Sequence, residues 1–221
     1  MVDYFARGKS GNVITSIDKH LQENSQRIAK EYHNILEINR INNIAAIIID
    51  VKTNNILAYI GNSSFGRISD SPDVDIVKSP RSTGSIIKPL LYASMLQEGK
   101  ILPTTLVPDI PTRISGFNPD NYDETYHGAV PAKQALSRSL NIPVVRMLQS
   151  FGVEKFHYTL KKLGMSTLNY GPERYGLTLV VGGAEGTLFD ISGIYANLAN
   201  ILNHFMIVKS ILTMKQNHLH F

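Results

Sequence analysis

The sequence predicts an α+β fold, and three observations carry that reading. From Ser16 to Leu36, the residues Ile17, Leu21, Ile28, Tyr32, Ile35 and Leu36 recur at helical spacing among polar neighbours, as on the packed face of an amphipathic helix. Ile44 to Val51 is a near-continuous apolar run rich in β-branched residues. Ile56 to Ile60 follows it after Lys52-Thr53-Asn54-Asn55, so the two stretches read as a β-hairpin whose first strand is strongly buried. Beyond residue 80, apolar stretches punctuated by Gly and Pro read as a succession of helices.

The composition suits that class. A chain of 221 residues with 43% hydrophobic and 18% charged residues can bury a sizeable core, as one domain or as part of a larger one. The net charge is only +4, and no Lys/Arg block interleaves with aromatics, so no nucleic-acid partner is expected. Without cysteine there are no disulfides and no thiolate metal sites. His218 and His220 read as a solvated tail rather than metal ligands, so neither metal nor cofactor is expected. No secretory signal opens the sequence, and no apolar run approaches the ~20 residues of a membrane span.

In chain order, Gly8-Lys9-Ser10-Gly11 invites a phosphate-loop reading, which fails because Asp3 stands where the first glycine belongs. Residues 61–80 are rich in Gly, Asn, Ser, Asp and Pro and read as a long surface loop. Glu98-Gly99-Lys100 reads as a helix stop. Pro103, Pro108, Pro111 and Pro119 then impose an extended, irregular path through Asp109, Phe117, Asn118, Asn121 and Tyr122. A helix from about Pro131 carries Ala132, Ala135, Leu136 and Ser139. Pro143 restricts Ile142, which places Ser139 and Asn141 at or near a helix break. Helices over Val144 to Phe151 and Lys155 to Leu163 are ended by Gly152 and Gly164. The glycine-rich turn Val180 to Thr187 precedes a packing helix over Leu188 to Leu202.

The chemistry concentrates in Arg81-Ser82-Thr83-Gly84-Ser85-Ile86-Ile87-Lys88-Pro89. Ser85 and Lys88 are three apart, so on a helix the lysine amine can reach the serine hydroxyl, a nucleophile beside its base. In a helix interior the Pro89 ring would clash with the Ser85 carbonyl, which places Ser85 at the helix start, where free N–H groups favour negative charge. A second Ser-x-x-Lys, Ser16 to Lys19, lacks the glycine-serine turn before it and the apolar helix after it, and reads as a solvated helix start.

With Ser139-x-Asn141 following Ser85-x-x-Lys88 in order, the sequence resembles the transpeptidase domain of penicillin-binding proteins and serine β-lactamases. Pro119-Asp120-Asn121-Tyr122-Asp123, Gly128-Ala129-Val130-Pro131, Ala135 to Val145 and Tyr195 to Asn200 narrow the resemblance to class A enzymes of the 1C branch, over roughly residues 12–200.

The resemblance implies an incomplete penicillin-binding protein/β-lactamase-like α+β fold, with helices around part of an antiparallel sheet. It implies an N-terminal linker and packing helix over 1–40, a partial transpeptidase domain over 41–200 and a divergent tail over 201–221. Ser85 would attack the carbonyl between the last two D-alanines of a peptidoglycan stem peptide, Lys88 would serve as base, Ser139 would relay the proton and Asn141 would orient Lys88 and the substrate amide. Stem peptides and β-lactams are the implied partners, no cofactor is implied, and the implied location is the periplasmic side of the inner membrane. Any membrane attachment would come through an upstream segment outside this sequence, as would a glycosyltransferase domain. The family's third motif, Lys-Thr/Ser-Gly, has no match between Asn141 and Phe221; Lys9-Ser10-Gly11 lies in the wrong order. Without that strand the hairpin would keep an unpaired edge and the chain would be marginally stable alone. A non-catalytic remnant that at most binds β-lactam or cell-wall peptide is the alternative, and a generic interaction domain with a coincidental motif is a third.

Overall fold

The structure is a computed structural model that describes residue 6 and residues 8–62, 74–114 and 116–217, excepting the side chains of residues 34 and 207–217. His218, His220 and most of the loop expected over 61–80 fall outside the described residues. The elements run α1 (Lys19–Glu37), β1 (Ala46–Ile49), β2 (Ile56–Ile60), β3 (Arg81–Ser82), α2 (Lys88–Gln97), β4 (Leu106–Asp109) and β5 (Gly128–Pro131). Then follow α3 (Ala132–Ser137), α4 (Asn141–Phe151), α5 (Val153–Leu163), α6 (Pro172–Tyr175), β6 (Glu185–Gly186) and α7 (Leu188–Asn217). Short 3-10 turns cover Ile76–Lys78 and Gly176–Val181. The chain divides into two compact units, Met1–Ser79 with Thr187–Phe221, and Pro80–Gly186.

In the first unit, the Asp18 carboxylate accepts from Leu21 N at 2.7 Å and starts α1. The second Ser-x-x-Lys is therefore a helix start with an exposed Lys19, as its sequence indicates. The rotation of α1 differs from the expected one. Among its described side chains Gln22, Ala29 and His33 are buried, one stripe at i, i+7 and i+11, while Ile28, Tyr32 and Ile35 are 44%, 56% and 58% exposed. Gln22 explains the turn: its Nε2 donates to Tyr59 O at 3.1 Å and its Oε1 accepts from Tyr59 N at 2.7 Å, clamping the helix against β2 through both backbone groups of one residue.

The same clamp reverses the expected burial of the hairpin. β1 and β2 pair antiparallel with a bulge between Ile48 and Ile49, as the hairpin reading requires. However, Ala58, Tyr59 and Ile60 of β2 are the buried positions, and β1 is only half-buried with Ile48 exposed. α1 covers β2, whereas among the described residues β1 pairs on one side only. α7 packs along β1 and continues well past Leu202, because no Gly or Pro interrupts residues 194–217.

The second unit is built around α4. Ile142, Pro143, Val144, Val145, Met147, Leu148 and Phe151 are all buried, so the helix is enclosed on most of its surface. It packs on α2, α3, α5, β4 and the Gly176–Val181 turn. Full burial of a side chain such as Leu148 is worth about 1.5–3 kcal/mol. α2 stops where its glycine indicates: Gly99 takes φ +65°, its N–H donates to Leu96 O at 3.0 Å, and Lys100 N donates to Met95 O at 2.9 Å. The stretch expected to be irregular contains β4, paired antiparallel with β5 in the register Val107 to Val130. Pro108 hid the strand, since a residue without an N–H is placed only where no ladder donor is needed.

Candidate active site

Ser85 sits in the turn that leads into α2, not inside the helix. Ile86 N donates to Thr83 O at 3.1 Å and Lys88 N to Ser85 O at 3.1 Å, so the chain winds through tight three-residue bonds before the helix proper begins at Lys88. Pro89 is then the second helical residue, and its ring meets no helical carbonyl at Ser85. The Ser85 side chain is exposed, and among the described residues neither its hydroxyl nor its N–H has a hydrogen-bond partner.

The glycine-rich turn before α7 holds this segment in place, a role its sequence does not announce. β3 pairs with β6, Arg81 opposite Gly186 and Ser82 opposite Glu185. Thr83 N donates to Ala184 O at 3.0 Å, and Ser82 Oγ donates to Gly182 O at 2.8 Å while accepting from Gly84 N at 3.3 Å. Gly182 has φ +108°, and a Cβ there would lie 2.8 Å from Ser82 Oγ and 3.1 Å from Gly84 Cα. Only glycine permits both the backbone conformation and the approach.

Lys88 lies on the core face of α2 with Leu91 and Met95, and is 1% exposed. Its amine emerges at the break between α3 and α4. Nζ donates to Asn141 Oδ1 at 2.7 Å, Ser139 O at 2.8 Å, Ser139 Oγ at 3.3 Å and Leu140 O at 3.4 Å. Ser85 Oγ is not among these partners. Burial pushes the lysine pKa down from 10.5 to about 8, because the ammonium form gives up its water. As a neutral amine, Nζ keeps two N–H groups for Asn141 Oδ1 and Ser139 O and gains a lone pair able to take a hydroxyl proton.

The break itself is a helix stop made without glycine. α3 ends at Ser137. Ser139 N donates to Leu136 O at 2.9 Å, Leu140 N donates to Ala135 O at 2.9 Å, and Leu140 packs on Ala135 and Val130. This is the bonding of a Schellman stop, in which glycine normally takes the left-handed position. Here Ser139 takes it, at φ +54°, a conformation costing a side-chain-bearing residue about 1–2 kcal/mol. That residue presents its carbonyl and hydroxyl to Lys88, and Asn141 opens α4 two positions later. Lys88, Ser139 and Asn141 are thus brought together, with Ser85 exposed one turn before Lys88. Among the described residues no group of three or more His, Asp or Glu side chains could hold a metal ion, and no helix is long and apolar enough to cross a membrane.

The arrangement has relatives. A family model described as the penicillin binding protein transpeptidase domain matches residues 44–220. Penicillin-binding protein 1C of Escherichia coli strain K12 is 31% identical over 193 residues, which is 87% of this chain and 25% of that protein. Penicillin-binding protein 1F of Bacillus subtilis strain 168 is 32% identical over 170 residues, 76% of this chain and 22% of that protein. The chain thus spans about a quarter of the length of the curated relatives it matches. The structure of PonA1 from Mycobacterium tuberculosis in complex with penicillin V superposes with a TM-score of 0.70 at 22% identity, over 85% of this chain and 51% of that one, which shows the fold. These matches set aside the generic interaction domain: the chain belongs to the penicillin binding protein transpeptidase domain family, with an α+β fold that is part of the one seen in PonA1.

Proposed function

We propose that this chain carries out acyl transfer on peptidoglycan stem peptides ending in D-alanyl-D-alanine, through an ester on Ser85. The observation that carries the reading is the buried Lys88 amine, held at 2.7 Å by Asn141 and facing Ser139, with a pKa near 8 and an exposed serine one turn before it. Ser85 Oγ attacks the carbonyl carbon of the penultimate residue as its proton passes to neutral Lys88. The free Ser85 N–H stands beside the oxygen that becomes negative. Collapse breaks the C–N bond, and the departing D-alanine amine takes a proton returned from Lys88 through the Ser139 hydroxyl. An acceptor amine on a second stem peptide then attacks the ester, forms the cross-linking amide and restores the Ser85 hydroxyl. A β-lactam acylates Ser85 in the same way and leaves no departing group to diffuse away. The reading places the domain on the periplasmic side of the inner membrane, where its substrate lies.

A second reading, binding without turnover, is favoured by one observation: Lys88 is bonded to the Ser139 break and not to Ser85. Release of D-alanine from a pentapeptide ending in D-alanyl-D-alanine separates the two. Release that is accelerated by an acceptor amine and abolished in Ser85→Ala supports transfer. A folded protein that releases none overturns it.

A further inference from the structure

Asn121 lies outside the two motifs, in the stretch whose prolines suggested only an irregular path, yet it is 3% exposed and every polar atom of its side chain is engaged. Oδ1 accepts from Asn141 N at 2.9 Å and from Ile142 N at 3.3 Å. Nδ2 donates to Asp109 Oδ1 at 2.7 Å and to Thr125 O at 2.9 Å. The amide cannot be turned over, because that would set its NH2 against two N–H groups and its oxygen against a carboxylate.

Those two accepted bonds close the N-terminus of α4. Leu140, the residue at the cap position, makes no side-chain cap bond. The first two helical residues, Asn141 and Ile142, would leave their N–H groups unpaired, and the third, Pro143, has none to pair. Asn121 supplies from a distance the cap that the local sequence lacks. Its neighbour completes the hold: Asp120 O accepts from Asn141 Nδ2 at 2.8 Å, which turns Asn141 Oδ1 toward Lys88 Nζ. Asn141 is therefore gripped at its backbone by Asn121 and at its side chain by the preceding carbonyl.

Asn121 is gripped in turn. Asp109 is the inward-facing end of β4 and is 0% exposed. Its second oxygen accepts from His127 N at 3.1 Å and lies 2.7 Å from His127 Nδ1. His127 Nε2 lies 2.8 Å from Arg138 Nη2, which can only donate, so Nε2 accepts there and Nδ1 faces Asp109. A buried carboxylate with three donors is held tightly, and so is the amide it accepts from.

We infer that Asn121, anchored by Asp109 and His127, is a positioning residue of the acyl-transfer site, acting through Asn141 on Lys88. The inference rests on the reading of Ser85 and Lys88 given above, and its test keeps the two apart. Covalent labelling by a fluorescent penicillin is timed in the full chain and in Asn121→Ala, Asn141→Ala and the double variant. Because misplacement by an ångström can cost about 100-fold, Asn121→Ala should label about 10- to 100-fold more slowly. In the Asn141→Ala background it should cost little more, since the residue acts through Asn141.

A second readout needs no labelling at all. Acetylation of Lys88 by acetic anhydride, referred to the exposed Lys133 in the same sample, should be faster in Asn121→Ala than in the parent. If the parent never labels but Lys88 is released by the substitution, the functional reading fails and the positioning holds. Wild-type labelling in Asn121→Ala, multiplicative losses in the double variant, or unchanged Lys88 acetylation would each overturn the inference.

Discussion

Lys88 Nζ lies 2.7 Å from Asn141 Oδ1, across 53 residues of sequence, and that contact ties the first motif of the chain to the second. It forms because Lys88 sits on the buried face of α2 while Asn141 opens α4, the helix around which the second unit is packed. The amine thereby loses water on one side and meets four acceptor oxygens on the other.

The pH dependence of acylation follows from that balance. In the proposed mechanism Lys88 acts as a neutral amine, so the rate of penicillin labelling should climb with pH and level off above about 8, the value to which burial lowers the lysine. A profile flat from pH 6 to 9, or one that falls, would remove Lys88 as the base.

Stability should respond to the same group. Below pH 8 both the folded and the unfolded chain carry a protonated Lys88, and the fold bears the full cost of burying the charge. Between about 8 and 10.5 the folded lysine has lost its proton while the unfolded one keeps it. The stability of the parent relative to Lys88→Met should therefore rise across that window, by at most about 1.4 kcal/mol per pH unit. Melting temperatures of the two proteins from pH 7 to 10.5 test the sign.

Ser139 opposes stability to function. In its left-handed position, Ser139→Gly should be more stable than Ser139→Ala by about 1 kcal/mol, since both lose the hydroxyl and only glycine relieves the backbone. Both should label slowly if, as proposed, Ser139 returns the proton, since neither variant has a hydroxyl to do so. Equal stability of the two would mean that the backbone there is not strained.

Gly182→Ala should disturb the proposed nucleophile, Ser85, without touching it. The added methyl meets Ser82 Oγ and Gly84 Cα, so the strap behind Ser85 must shift. A loss of about tenfold or more in labelling rate is expected, with Lys88 still protected from acetylation. An unaffected rate would show that the 182–186 strap does not place Ser85.

Much of this was legible in the sequence where a local signal matched a local cause. Gly99 marked the end of α2, and Pro143 marked the break that presents Ser139 and Asn141. The family was legible because Ser85, Lys88, Ser139 and Asn141 came with their surrounding text. What was hidden depends on distant partners. The buried face of α1 is set by Gln22 meeting Tyr59, so polar Gln22 went inside and Tyr32 stayed outside. β4 was masked by Pro108, and its buried Asp109 breaks the apolar pattern of an inward position. Ser139 stands where a helix stop would be announced by glycine, and the cap of α4 comes from Asn121, twenty residues before it.

The most direct test of the central claim is fluorescent penicillin labelling of the purified chain beside its Ser85→Ala variant, read on a denaturing gel so that only covalent adducts survive. The account predicts a band in the parent that is absent from Ser85→Ala. No band from a parent shown to be folded, or an equal band in both, would contradict it.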